Sequence, residues 1–244
     1  SRFSSGVIEL SAPAAELGSL AKLAGQAVAA NGRVALYVKI VLREGRLDRA
    51  DIKADGAGIM TLNIPDQGEV ELDSLRLAFA IDGTLVPSAI DAKARGRRLR
   101  FGGLAVDSPF DLDIRGQSWP ELEFSLRRLR LARPLPLLAE RIAGRTSGTW
   151  NALQVDGDFR LSAESGALAA AGLSWSNRQP YALDGTFQAA RQGNNIAWSG
   201  KAAGDGGVIL ASGQERLRGR LRLNAALEGD ERGARVDADW RLTG

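Results

Sequence analysis

The sequence has no cysteine and no histidine in 244 residues. The first absence excludes disulfides, thiolate nucleophiles and Cys-ligated metals. The second excludes triads with a histidine base, the common zinc sites and histidine pH switches. Aromatic residues make up only 6%, so apolar faces must be built mainly from Leu, Val, Ile and Ala. No apolar run approaches the about 18 residues that a membrane-spanning helix needs. Charge of one sign is never concentrated: 32 Lys and Arg stand against 29 Asp and Glu, and Arg and Asp alternate locally. Nucleic acid is therefore not expected as a partner, since it calls for a basic stripe with interleaved aromatics. The densest basic stretch, Arg95-Gly96-Arg97-Arg98-Leu99-Arg100, reads as a solvated turn and strand face.

What is present is alternation. In 216–242, Leu217, Gly219, Leu221, Leu223, Ala225 and Leu227 fall on one side and Arg216, Arg218, Arg220, Arg222 and Asn224 on the other. After a polar turn at 228–233, Val236, Ala238, Trp240 and Leu242 alternate with Arg235, Asp237, Asp239 and Arg241. Side chains alternate faces along a strand, so this is a β-hairpin with one apolar and one charged face.

The same period recurs along the chain, with roughly 14 to 16 short strands expected at the spacing of an all-β fold. Val34, Leu36, Val38, Ile40 and Leu42 share a face. Two short strands are expected at 47–55 and 57–64, a turn at Pro65-Asp66-Gln67-Gly68, and a loop at 84–96. Val70 and Leu72 are out of phase with Leu75, Leu77, Phe79 and Ile81, which predicts a β-bulge near Asp73-Ser74. Leu122, Phe124 and Leu126 slip likewise against Leu129 and Leu131, predicting a second bulge near Arg127-Arg128. Leu153, Val155, Gly157, Phe159 and Leu161 alternate cleanly; weaker segments follow around Leu173, Leu183 to Phe187, Ile196 and 206–212. Two short amphipathic helices are expected, over about 13–30 behind a Ser11 cap and over about 134–143 after Pro134 and Pro136. They make a loose internal repeat of 7–38 and 129–161, each strand, Pro-containing helix, Gly, strand.

Strands that end near Gly, as in Val155-Asp156-Gly157-Asp158-Phe159 and Leu183-Asp184-Gly185-Thr186-Phe187, with short helices between strand groups, resemble the AsmA-like group of Gram-negative envelope proteins (AsmA, TamB and the YdbH type). The resemblance covers most of the chain through its order of elements. It implies a long, bent antiparallel sheet forming an open taco-like groove, inner-membrane anchoring of the full-length protein, and bulk phospholipid movement through the periplasm. It brings no catalytic residue, metal or cofactor. Ser147-Gly148-Thr149-Trp150 also faintly resembles a phrase of type II secretion protein N, though it sits mid-chain. The chain opens at Ser1-Arg2-Phe3 without an initiator Met or a signal peptide, and reads as a single β-groove segment, 1–244, of a longer protein.

A sheet with one apolar face must hide it, in a closed sandwich or against an apolar ligand. The lining expected for a lipid groove is Val34, Leu36, Val38, Ile40, Leu72, Leu75, Leu77, Phe79, Leu122, Phe124, Leu126, Leu153, Val155, Phe159, Leu161, Leu173, Leu183, Phe187, Ile196, Leu217, Leu221, Leu223, Val236 and Trp240. Phospholipid acyl chains are the expected occupants, with envelope proteins extending the groove towards the membranes. The alternative is a closed β-sandwich scaffold or assembly component, such as a type II secretion protein N-like subunit. An outer-membrane barrel would want aromatic girdles and longer strands than the pattern offers. Catalysis is not expected: the pairs Asp111/Asp113, Asp156/Asp158 and Asp237/Asp239 lie opposite the apolar residues, on the solvent side.

Overall fold

The structure is a computed structural model. It describes residues 5–23, 29–64, 68–101, 104–106, 108–131, 137–149, 152–163, 166–168, 173–176, 181–193, 195–212, 214–230 and 233–244. The expected turn at 65–67, Trp150 and the Pro134–Pro136 start of the second helix lie outside them. The fold is all-β and antiparallel, and the chain divides into two compact units, Ser1–Ser125 and Leu126–Gly244.

The first unit is a meander. β1 (Ser5–Glu16) pairs with β3 (Arg33–Arg43), which pairs with β4 (Arg46–Ile64). The order continues through β5 (Gly68–Asp82), β6 (Pro87–Phe101) and β8 (Phe110–Ser118) to β9 (Glu121–Arg127). Short β2 (Ala29–Asn31) pairs with β4, and β7 (Leu104–Val106) with β6. The strands are longer than the sequence suggests. The two expected strands at 47–55 and 57–64 are one 19-residue strand, kinked where a bulge falls between Ala57 and Met60 and Gly58 takes φ +91°. The expected loop at 84–96 belongs mostly to β6. Strand shortness therefore no longer counts against a barrel.

The bulge expected near Asp73 is present, and it has a counterpart. Leu72 pairs with Gly96 while Ser74 pairs with Arg95, so Asp73 is the extra residue in β5. Glu71 pairs with Arg98, so Arg97 is the extra residue in β6. The two extra residues form an ion pair across the strands. Together they bring Leu72 back to the face of Leu75 and Leu77. The second expected slip is a one-residue break: Arg128, at φ +64°, separates β9 from β10 (Leu129–Leu131).

In the second unit, β10 pairs with β11 (Leu137–Thr149), followed in order by β12 (Ala152–Ala163), β15 (Tyr181–Gln192), β16 (Asn195–Ser212), β17 (Glu215–Asp230) and β18 (Gly233–Thr243). Short β13 (Gly166–Leu168) and β14 (Leu173–Ser176) pair with each other, and β14 with β16. The expected hairpin is present as β17 and β18, with Leu223 opposite Trp240 and Leu227 opposite Val236.

The helices are a correction. One helix is described, α1 (Leu17–Leu23), shorter than the expected 13–30. Ser11 and Pro13 lie in β1, where a bulge between Ala12 and Ala15 accommodates the missing proline N–H. Residues 137–143 are strand, not helix. Ala139 pairs with Leu161 and Arg141 with Arg160, so Glu140 is an extra residue and Ile142 rejoins the face of Leu137 and Ala139. A bulge in a strand leaves apolar residues three apart, the same spacing a helix shows. The loose repeat therefore fails in its second helix.

Candidate functional site

The apolar face of each unit is built from cross-strand rows. In the first unit one row runs Ala12, Leu36, Ala54, Leu77, Ala92, Ile114, and its neighbour runs Val34, Gly56, Leu75, Ala94, Leu112. Further along, Leu10, Val38, Ile52 and Phe79 align, then Ile8, Ile40, Ala50 and Ile81. Leu122 of β9 lies against Gly116, the partner of Ile90. The row of Leu10, Val38, Ile52 and Phe79 is large throughout, whereas in the first two rows large and small side chains alternate.

The second unit repeats this with aromatics. Ala139, Leu161, Leu183, Gly204, Leu223 and Trp240 form one row, and Ile142, Phe159, Gly185, Ala202, Ala225 and Ala238 the next. Then come Gly157, Phe187, Gly200, Leu227 and Val236, followed by Val155, Ala189, Trp198 and Gly229. A Cβ on Gly157 would stand 2.5 Å from the Phe187 ring, one on Gly229 2.5 Å from Trp198, and one on Gly185 closer still to the Phe159 ring. The rings therefore lie flat over cross-strand glycines.

Each face has a packed end. In the first unit Met60 is wholly buried over Gly56 and Val34, and Phe110 lies over Gly96. In the second, Tyr181 lies over Gly204 and Gly206 in a cluster with Ala163 and Val208. The Tyr181 hydroxyl donates to the Leu221 carbonyl at 3.2 Å. Burial, and then the charge of Asp205, push its ionisation above the usual phenol range.

Beyond these ends the apolar face is half-buried, not core. Leu36, Val38, Ile40, Leu75, Leu77, Phe79, Leu122, Phe124, Leu126, Leu153, Val155, Phe159, Leu161, Leu183, Phe187, Leu221 and Leu223 all have this status. Val34, at 1% exposure, and Leu72, at 5%, do not: they belong to the packed end under Met60 and cannot line an open surface. Ile196, Leu217, Val236 and Trp240 are exposed, Trp240 at 69%. Leu173 begins β14, but its side chain lies outside the described residues. Missing from the expected lining are Ile8, Leu10, Ile52, Ile81, Ile90, Leu112, Ile114, Ile142, Trp198 and Leu227. Ile90 fell in the expected loop and Ile142 in the expected helix, so neither showed a period of two.

Adjacent alanines compare the faces at constant side-chain size. Ala202 and Ala225, on the apolar face, are half-buried, while Ala203 and Ala226, on the polar face, are exposed. Ala50 and Ala54 are buried and Ala35, facing the other way, is exposed. At these positions the apolar face is the better shielded one, although Ala80 on the polar side is buried and Ala238 on the apolar side is exposed.

The opposite face carries directly opposed ion pairs: Arg76–Asp55 at 2.9 Å, Arg95–Asp111 at 3.3 Å, Lys39–Glu9 at 3.3 Å and Arg160–Asp184 at 2.7 Å. Asp205 accepts from Arg220 at 2.5 Å and Arg222 at 3.2 Å. The Arg220 hydrogen bond foremost holds its carboxyl below the usual range. Such exposed pairs add little stability each, but they oppose a register slip that would set like charges together. Two depressions of the second unit are lined mainly from this face, by Asp156, Gln188, Ser199, Glu228, Arg235, Thr186, Lys201 and Asp237, with Phe187, Leu227, Val155 and Trp198 from the apolar rows at their edges.

No family model, curated protein or solved structure matches the chain.

Proposed function

We propose that the apolar face of each unit holds phospholipid acyl chains, as a non-catalytic lipid-transport surface of the Gram-negative periplasm. The observation that supports this reading is the half-buried status of the apolar rows. Burying such a face in a sandwich would take most of its side chains out of water. Here most of the large side chains beyond the packed ends stay half-buried, while small ones such as Ala50 and Ala54 are buried.

An acyl chain suits the surface chemically. Each CH₂ moved from water onto it contributes about 0.8 kcal/mol, without direction or fixed stoichiometry. That permits sliding, which carriage requires and tight binding opposes. The six strands from β11 to β18 span about 24 Å at the usual strand spacing of about 4.8 Å, longer than the roughly 15 Å of one leaflet's hydrocarbon layer. The ion-paired face supplies solubility on the other side.

Among the described residues no helix is long and apolar enough to cross a membrane. Anchoring and envelope partners that extend the surface remain part of the proposal. A protein partner covering the same face is the second reading, favoured by the exposed Val236 and Trp240 on β18. Lipid mass spectrometry of the chain purified from cells, with uptake of a fluorescent phospholipid, separates the two. Stoichiometric co-purified phospholipid supports carriage; its absence together with no uptake defeats it.

A further inference from the structure

Three turns meet at one end of the first unit: Glu44-Gly45, the loop 83–86, and Trp119-Pro120. The register places them together, since Arg49 pairs with Asp82, Ile81 with Pro87 and Ser88 with Ser118. The Trp119 N–H donates to the Pro87 carbonyl at 2.9 Å. A Cβ on Gly83 would stand 3.2 Å from the Leu47 carbonyl oxygen.

The loop is held by its own hydrogen bonds. The Asp82 carboxylate accepts from the Thr84 N–H at 2.8 Å and from the Thr84 hydroxyl at 2.5 Å. The Leu85 N–H donates to the Asp82 carbonyl at 2.9 Å. Held this way, Leu85 sits at φ +61° and is 70% exposed, with Val86 beside it at 41%. Two unfavourable choices thus fall on one residue. A branched side chain occupies a backbone conformation that Gly or Asn fills at less cost, and an apolar side chain of full size is held in water. Neither helps the hairpin close. Both make sense if the tip enters a second apolar phase.

We propose that this end of the first unit inserts into the interfacial zone of a phospholipid bilayer, with Leu85 and Val86 penetrating and Trp119 beside them. Two projecting side chains are far too small an area for a stable protein interface, which needs about 800 Å² on each partner. A bilayer requires no matching shape. Arg43, its side chain 74% exposed and its guanidinium 3.8 Å from the Asp48 carboxylate, and Arg46 flank the neighbouring turn, where headgroup phosphates would lie. The proposal concerns the tip alone and does not need the apolar face to carry lipid.

The absence of native cysteine makes the test direct. A Val86→Cys variant labelled with an environment-sensitive fluorophore is mixed with phosphatidylcholine–phosphatidylglycerol vesicles. The expected result is a blue shift with increased intensity. Adding Leu85→Asn should lower the vesicle partition coefficient about tenfold or more. Asn tolerates the left-handed backbone, so this variant should melt no lower than its parent, and lost binding will not reflect unfolding. A label that still reports water, or an Asn variant that partitions like its parent, overturns the proposal. A second label at Val155→Cys, on the apolar face of the second unit, keeps the two readings apart. A response at 155 without one at 86 defeats tip insertion and leaves acyl-chain binding standing.

Discussion

Phe159 of β12 covers Gly185 of β15. The relation is reciprocal, for Phe187 of β15 covers Gly157 of β12. The two Asp-Gly-x-Phe phrases of the sequence are therefore antiparallel partners, in a register that sets each ring over the other's glycine. Each ring stays low on the sheet, and a large apolar area is laid down without ridges.

This arrangement is sensitive to a single methyl group. Gly157→Ala would bring a Cβ against the Ala143 carbonyl oxygen as well as onto the Phe187 ring. Overpacking of this kind costs about 1–3 kcal/mol. The thermal midpoint should fall by several degrees. An unchanged melt would mean that the rings do not rest on the glycines.

Charge on the half-buried rows should separate carriage from folding. Leu77→Asp and Phe124→Asp should keep native far-ultraviolet circular dichroism while losing bound phospholipid. Met60→Asp should fail to fold, because its charge would be buried without a partner at the packed end. If all three variants unfold alike, the rows are closed core and acyl-chain binding fails with them.

Truncating the same packed end gives a stability measurement. Met60→Ala removes a side chain with no exposed surface and should cost about 2–5 kcal/mol, read by urea unfolding. Leu36→Ala, on the half-buried row, should cost less.

Acid sensitivity should reside partly at Asp205. Its pKa is lower in the folded state than in the unfolded chain, so its ion pairs contribute stability above the unfolded aspartate value of about 3.9. That contribution is lost as pH falls through the lower folded value. Asp205→Asn should therefore be less stable than the parent at neutral pH, and the difference should shrink in strong acid. Paired melts at pH 7 and pH 2.5 check the sign.

Deleting Asp73 should be far worse than replacing it. Asp73→Ala removes a half-buried partner of Arg97 and keeps the residue count. Deletion removes the extra residue and turns Leu72 and Val70 towards the charged face. Limited proteolysis should leave the replacement resistant and cut the deletion variant rapidly.

The alternation of apolar and charged residues was enough to determine an all-β chain, the face that Leu153 to Leu161 and Leu217 to Leu227 present, and the need for a bulge at Asp73. Each follows from a strand period of two and a chain that cannot hide Arg or Asp. The tertiary structure decided where the period is broken. A strand bulge at Glu140 and a helix give the same spacing of apolar residues, and only the pairing of β11 with β12 chooses between them. The same holds for 84–96, where Ala92 and Ala94 are too small to mark a face until Leu75, Leu77, Leu112 and Ile114 stand on either side. Which apolar residues are buried was likewise beyond the sequence. Val34 and Val38, on the same face of one strand, look equivalent in one dimension, and only the path of Met60 over Gly56 buries the first and leaves the second half open.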